Sequence, residues 1–351
     1  MVLADMADGQ YEQVTHFYDE ETGLEAIVAI HDTTLGPSLG GTRLRPYETE
    51  EEARWDVLRL SKGMTYKAAA ADLDLGGGKA VIIAEPEDKD EALMRAYGRM
   101  VDRLGGHYIT SVDMNTGVPD MEIVAEETDH VVGLSDGLGD PSPITSRGVF
   151  SGLQACAEAV YGTDDLSDRT VVIQGVGKVG AGLAEHLVEA GATVKVSDVD
   201  ETAVEELVDD LGVEAVALED VYGEPCDVFA PCAIGGVIND ETIPQLECDV
   251  VAGAANNILE ERRHAAVLRE EGILYAPDYV INAGGLITVA KEHAGESKDA
   301  AFEEAERIGD RLLEMIELAE DRDMTVLEAA DEYAERRIAS GGDAEIAAAD
   351  D

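Results

Sequence analysis

VVIQGVGKVGAGLAEHLVEAG at residues 171–191, followed by TVKVSD at 193–198, decides how this chain folds. A short apolar run leads into Gly175, Gly177 and Gly180, spaced G-x-G-x-x-G, and helical spacing takes over directly afterwards. Between a strand and a helix, the first glycine makes the bend and the second lets the backbone approach a pyrophosphate. The third packs helix on strand. The stretch Val176, Lys178 and Val179 supplies backbone amides at the helix N-terminus, where phosphate charge is stabilised. The second strand ends in Asp198, twenty-three residues beyond Gly175, where a carboxylate accepts ribose hydroxyls. Val199 and Asp200 come next, with no arginine for a 2′-phosphate, so the unit predicts NAD rather than NADP. A glycine turn without ligand is the plainer alternative. Strand, helix and acidic residue together weigh against it.

The βα rhythm continues outward from this unit. CDVFAP, DVVAGA and ILYAP predict further buried strands with helices between them, and hence a parallel sheet. The clearest composition break is GLSDGLGDPSPITSRG, residues 133–148, after which VFSGLQACAEAVYG returns to helical spacing. Before the break, helices alternate with short strands such as AVIIA and HYIT, and the last sixty residues predict long amphipathic helices. The expected fold is α/β. An N-terminal α/β substrate and oligomerisation domain covers 1–140, and a Rossmann-type dinucleotide-binding domain covers 141–325, with a cleft between them. A helix at 326–340 is expected to pack back on the first domain, and 341–351 to form a disordered acidic tail.

Composition narrows the function classes. An apolar content of 45% excludes global disorder, and 351 residues suffice for two cores. No run of eighteen apolar residues occurs, and MVLADMADGQ lacks a signal peptide's basic start, so a soluble, cytoplasmic protein is expected. The four cysteines, at 156, 226, 232 and 248, show no metal-ligand spacing and are expected to be reduced packing residues. No metal site is predicted. The formal net charge of −51 is spread along the chain, which excludes nucleic acid and anionic membranes as partners. It reads as the solvated acidic surface of a halophile, whose self-repulsion salt relieves.

Lysine is scarce, with eight in the chain, yet Lys62, Lys67 and Lys79 fall within eighteen positions. Thr49, three residues before Glu52, predicts a capping box and a helix start. Ala53, Val57, Leu60 and Met64 then mark a buried stripe, and Lys67 takes its next position, pointing inward, while Lys62 is solvated. Lys79 follows Gly76, Gly77 and Gly78, which clear space for an approaching group, and enters the apolar AVII. Desolvation lowers an ammonium pKa, so Lys79 is placed to act as a base near neutral pH. The plainer alternatives are a snorkelling lysine at Lys67 and a buried structural ion pair at Lys79.

These segments bring a family into view. GPSLGGTRLRPY, KGMTYKAAAADLDLGGGKAVI, YITSVDMNTGVPDM, DPSPITSRGV, GVGKVG, APCAIGG, GAANN and YAPDYVINAGGL occur in order between Gly36 and Leu286, and the likeness they carry runs from about Gly36 to Ser340. In this the chain resembles the glutamate/leucine/phenylalanine/valine dehydrogenases, and most closely the leucine dehydrogenases among them. The resemblance implies that Lys67 grips the substrate α-carboxylate, that Lys79 activates water, and that Asp113 shuttles a proton to and from the amino group. It further implies backbone contacts to substrate from Gly40 and Gly41, with Met64 beside them. Thr145 would hold the nicotinamide carboxamide, Asn256 and Asn282 would line the cofactor side of the cleft, and the assembly would be a homo-oligomer.

Substrate choice follows from charge. Family members that use glutamate carry a lysine at the position of Leu39 and a hydroxyl-bearing residue at that of Val289. Without them a side-chain carboxylate would be buried unpaired, at a cost of several kcal/mol. Leu39, Leu286 and Val289 instead imply a pocket for an aliphatic side chain. Ser111, where alanine is usual, and Asn115-Thr116-Gly117 after Asp113 depart from the family pattern. The expected activity is oxidative deamination of branched-chain L-amino acids with NAD, giving 2-oxo acid and ammonium. The alternatives are a valine-, phenylalanine- or glutamate-preferring relative and a non-catalytic nucleotide-binding regulator.

Overall fold

The structure is a computed structural model that describes residues 2–342, so the expected acidic tail lies, past its first two residues, outside the described residues. The chain divides into two compact units. Among the described residues, one holds the chain as far as Gly139, with Val289–Ser297 and 334–342; the other holds Asp140–Thr288 and Lys298–Tyr333. No helix among the described residues is long and apolar enough to cross a membrane.

The first unit opens with α1 (Val2–Gly9), β1 (Gln13–Asp19), β2 (Leu24–Asp32) and β3 (Ser38–Arg45). Then come α2 (Glu50–Ala70), β4 (Gly76–Ile83), α3 (Glu91–Asp102), β5 (Tyr108–Val112) and α4 (Val118–Ala125). The sheet order is β1-β2-β4-β3-β5. Strands β1 and β2 run antiparallel, as do β2 and β4, while β3 is parallel to both β4 and β5. The expected alternation of helix and strand therefore fails at the start, where three strands follow one another. Gly23, at φ 71°, lets β1 turn tightly into β2. Strand β2 is apolar on both faces because both are covered. Leu24, Val28, Leu44 and Ile82 pack with Met94, Tyr97 and Met121 on one side. Ile27, Ala29 and Val81 meet Ala53 and Val57 of α2 on the other. Each such large apolar side chain contributes about 1.5–3 kcal/mol.

Helix α2 corrects the sequence reading in two respects. Thr49 Oγ1 accepts from Glu52 N at 3.1 Å, but Glu52 turns to the amide of Glu48, not Thr49, so the capping box is half formed. Ala53 and Val57 are buried as expected, but from Leu60 onward the buried stripe is shifted by one residue. Ala53, Asp56, Val57, Ser61, Thr65 and Ala68 are buried, whereas Leu60, Met64 and Lys67 are half-exposed. The cause lies in β4. A Cβ on Gly77 would overlap the backbone N and Oγ1 of Thr65, so helix and strand meet backbone to backbone through small residues. A Cβ at Gly76 would likewise overlap the carbonyls of Asp32 and Gly36, and one at Gly78 would lie 2.7 Å from the Tyr108 ring and 2.8 Å from Ser38 Oγ. The space cleared by the three glycines is filled by the protein itself. Lys62 is half-buried rather than fully solvated, with Nζ 5.7 Å from the Tyr66 ring centroid.

The chain's later segments complete this unit. Glu292 accepts from Gly133 N at 2.7 Å and Leu138 N at 3.1 Å, closing the loop after α4. Arg337 donates to Leu73 O at 2.7 Å and to Asp74 Oδ1 at 2.9 Å, and Tyr66 OH donates to Glu335 at 2.9 Å.

The second unit contains α5 (Ser142–Tyr161), β6 (Thr170–Gln174), α6 (Lys178–Glu189), β7 (Thr193–Ser197), α7 (Glu201–Leu211) and β8 (Glu214–Ala215). It goes on through β9 (Val228–Pro231), β10 (Val250–Val251), α8 (His264–Glu270), β11 (Leu274–Tyr275) and α9 (Asp278–Ile281). The chain then forms α10 (Gly284–His293), α11 (Lys298–Asp321) and α12 (Val326–Ala339), the first and last of which run across the division into units. Six parallel strands lie in the order β11-β10-β9-β6-β7-β8. This is the doubly wound sheet expected, with the order reversing between β9 and β6. Helix α5 begins at Ser142, inside the stretch read as a break, because Pro143 is tolerated in a first turn and Asp140 accepts from Ser142 N at 2.9 Å. Cys226 and Cys248, just before β9 and β10, are free thiols that neighbour each other.

Candidate active site

One face of the first sheet gathers its charge around Lys79. The strand period places Gly77, Lys79 and Val81 of β4 toward α2, and Asp113 follows the end of β5. Lys79 Nζ lies 3.2 Å from Asp113 Oδ1, and the lysine is 5% exposed. Arg43, on β3, gives Nε to Asp113 Oδ2 at 2.9 Å and Nη1 to Asp56 Oδ2 at 3.0 Å. Asp56, buried on α2, also accepts from Tyr47 OH at 2.9 Å and Arg59 Nη2 at 3.0 Å. Asp113 N donates to Thr116 Oγ1 at 2.9 Å, so the unusual Asn115-Thr116-Gly117 loop pins the carboxylate's backbone. Asn115 takes φ 58° to make that turn.

The electrostatics have identifiable causes. Burial pushes the Lys79 pKa down; the Asp113 carboxylate pulls it up, Arg43 pushes it down again, and the net shift is downward. Burial raises the Asp113 carboxyl, but the Lys79 ammonium and the Arg43 guanidinium outweigh it and hold the group below the ordinary carboxylate value. Asp56 is also lowered, by Tyr47, Arg43 and Arg59 against burial. Two carboxylates thus face two guanidiniums. Lys79 is the surplus cation, and that favours its neutral form.

The remaining substrate-side residues are less uniform. Leu39 is 1% exposed and sits in register with Gly77 and Ile109, so it offers no open surface. A Cβ at Gly40 would overlap Gly78 O, and one at Gly41 would overlap Val112 O and reach 2.9 Å from Asp113 Cβ. Their immediate reason for being glycine is backbone crowding between strands. Gly40 O is occupied by Tyr108 OH at 2.7 Å. Lys67 and Met64 are half-exposed on α2, so the inward orientation expected of Lys67 is corrected. Val289 is half-buried and belongs to the first unit, whereas Leu286, buried, belongs to the second. Ser111 is buried opposite Gly41.

In the second unit the glycine turn has the geometry its spacing implied. Gly175 has φ 103° and would place a Cβ 2.6 Å from Ala233 Cβ, while a Cβ at Gly180 would overlap Gly175 O. At Gly177 nothing lies within 4 Å, which leaves the backbone at the start of α6 open to an approaching group. Asp198 Oδ2 accepts from Val176 N at 2.7 Å, tying the acidic residue to the turn. Lys178 is exposed and pairs with Asp140 at 2.7 Å, and Val179 is half-buried. Asn282 is buried, donates to Asn256 Oδ1 at 3.0 Å, and has no partner for its own Oδ1. Asn256 itself is exposed. Thr145 Oγ1 donates to Pro141 O at 3.0 Å, with Gly284 packed against its backbone. Burial raises the Cys232 thiol to about 11, which suits a packing residue beside the turn. No group of metal ligands occurs among the described residues. An open glycine turn, an amide-bearing helix start and an unsatisfied buried acceptor fit a dinucleotide.

Comparison with known proteins decides the family. Residues 11–130 match the profile of the Glu/Leu/Phe/Val dehydrogenase dimerisation domain, and residues 194–348 that of the Glutamate/Leucine/Phenylalanine/Valine dehydrogenases. Leucine dehydrogenase of Bacillus cereus is 51% identical over 334 residues, covering 94% of this chain and 91% of its own. The chain belongs to the Glu/Leu/Phe/Val dehydrogenase family. It is thus a member of a family of dinucleotide-dependent amino acid dehydrogenases. Phenylalanine dehydrogenase of Caldalkalibacillus thermarum is 48% identical over 338 residues, covering 94% and 91% of the two chains. The crystal structure of L-tryptophan dehydrogenase from Nostoc punctiforme superposes with a TM-score of 0.90 at 44% identity, covering 97% of this chain and 99% of that one. The family's α/β architecture, a dimerisation domain and a parallel-sheet Rossmann-like domain, is the one observed here.

Sequence reasoning missed Arg43, Asp56 and Tyr47 around the candidate site, and marked Thr116 only as a departure from the family pattern, not as a partner of Asp113. The available signals were an arginine inside a buried strand and an aspartate on a buried helical stripe. Both mark a charge that needs a partner.

Proposed function

We propose that this family member is an NAD-dependent dehydrogenase of branched-chain L-amino acids. It would convert L-amino acid, NAD and water to 2-oxo acid, ammonium, NADH and a proton, reversibly and as a homo-oligomer. The observation that carries the reading is the buried Lys79 ammonium, 3.2 Å from Asp113 and lowered in pKa. In this reading Lys67 grips the α-carboxylate, with Met64, Gly40 and Gly41 beside it. Asp113 takes a proton from the substrate amine, and neutral Lys79 takes one from the water that attacks the imine carbon. The dinucleotide supplies the hydride acceptor; Gly175 to Gly180, Asp198, Thr145, Asn256 and Asn282 would hold it. Asp198 without a neighbouring arginine supports NAD over NADP.

Leu39, Leu286 and Val289 support an apolar substrate side chain, because none can pair a second carboxylate. The similar phenylalanine and tryptophan dehydrogenases favour a second reading, an aromatic substrate. Formation of NADH, followed by absorbance in molar salt against leucine, valine, isoleucine, phenylalanine, tryptophan and glutamate, separates the readings. The highest kcat/KM is expected with leucine, valine or isoleucine. A best rate with phenylalanine or tryptophan would transfer the assignment to the second reading, and turnover with none would remove both.

A further inference from the structure

Asp113 has two carboxylate oxygens and the surrounding residues treat them differently. Oδ1 faces Lys79 at 3.2 Å, and Oδ2 receives Arg43 Nε at 2.9 Å. Arg43 is itself held, since Nη1 reaches Asp56 Oδ2 at 3.0 Å, and Asp56 is fixed by Tyr47 and Arg59. Two donors of one rigid guanidinium plane therefore span from a helix to the end of a strand. A lysine ammonium, a single point charge, does not reproduce that bridge. We propose that Arg43, locked by Asp56, is the positioning residue that gives the two Asp113 oxygens separate tasks, Oδ2 held and Oδ1 left to exchange the substrate's proton. The inference rests on the amino acid dehydrogenase chemistry proposed above for Lys79 and Asp113.

The same arrangement sets the balance of charge. Lys79, on β4, is faced by Asp113 from the end of β5, Arg43 from β3 and Asp56 from α2. Asp113 is faced by Lys79 and Arg43, and Asp56 by Arg43, Arg59 and the Tyr47 hydroxyl. With Arg43 present, the two carboxylates Asp56 and Asp113 are already matched in number by Arg43 and Arg59, and Lys79, though paired with Asp113, is the surplus cation. Without Arg43, Lys79 is left as the counter-ion of Asp113 and stays protonated to higher pH.

Three variants test this through the pH dependence of kcat/KM for the best amino acid. Arg43→Gln should move the alkaline-rising limb upward by about one pH unit or more and lower kcat at least about tenfold. Arg43→Lys keeps the charge and should leave the limb in place, yet lose a similar factor in kcat because the bridge is gone. Asp56→Asn should move the limb the opposite way, to lower pH, because it removes an anion near Lys79. A purely structural ion pair would alter the unfolding midpoint while leaving the limb where it is in all three variants, and that result overturns the proposal. If Arg43→Gln does not fold, Arg43→Lys and Asp56→Asn decide the matter. Lys79→Ala, assayed alongside, isolates the chemistry. Persistent turnover there would overturn the catalytic reading itself, while loss there with unmoved limbs in the other variants overturns the role of Arg43 alone.

Discussion

Lys79 is pulled in opposite directions by its two nearest charged neighbours, so each neighbour's removal has a definite sign. Asp113 raises the lysine's pKa, and its removal in Asp113→Asn should send the residual rising limb of the pH–rate profile to lower pH while kcat falls at least about a hundredfold. A limb at higher pH in that variant would show that another group governs it. Leu39 allows a specificity test of the same kind. Being fully buried, it would become an uncompensated ammonium in Leu39→Lys until a substrate carboxylate arrives. Combined with Val289→Ser, the ratio of kcat/KM for leucine over glutamate should drop at least about two orders of magnitude. A constant ratio with both activities reduced would mean that neither side chain meets the substrate. At this scale the sequence made Lys79 and Asp113 legible through motifs. It hid Arg43, because Asp113 lies seventy residues further along the chain and no local spacing connects the two.

The elements differ in how much a single chain segment determines them. The β6–α6 turn is local, and Gly175, Gly177 and Gly180 specify it within six residues, so it was legible. The face that α2 buries was not, because Ser61 and Thr65 are polar, and their burial follows from a glycine strand that folds against them afterwards. Two glycine substitutions separate these cases. Gly77→Ala would collide with the Thr65 backbone, which cannot swing aside, and should cost about 1–3 kcal/mol or more in chemical unfolding. Gly177→Ala meets open space and should leave unfolding nearly unchanged while NADH binding, followed by fluorescence titration, weakens at least about tenfold. Equal NADH affinity in the Gly177 variant would place the pyrophosphate elsewhere.

Across the whole molecule the dominant quantity is the net charge of −51. Many arginines are already matched, as in Arg95 with Glu91, Glu126 and Glu127, or Arg262 with Asp331. With 25 basic against 76 acidic side chains, carboxylates outnumber cations about three to one. At about 0.15 M salt the screening length is ~8 Å, and near 1 M it is ~3 Å, shorter than typical spacings between surface carboxylates. The melting temperature should therefore climb steeply from low to molar KCl. A flat or falling series would remove the reading of this surface as salt-adapted.

The hydrogen bond from Arg337 to Leu73 O joins residues 264 positions apart. Synthesis at about 5–20 residues per second separates the birth of those two groups by roughly 13–53 seconds. During that interval the carbonyl of Leu73 and the carboxylate of Asp74 wait on the nascent chain for a guanidinium not yet made. The unit to which Asp140–Thr288 belong has its last segment by Tyr333, earlier than its neighbour. Of the two units, the one whose synthesis starts earlier is thus completed later, because the segment that supplies Arg337 to Leu73 and Asp74 follows Tyr333.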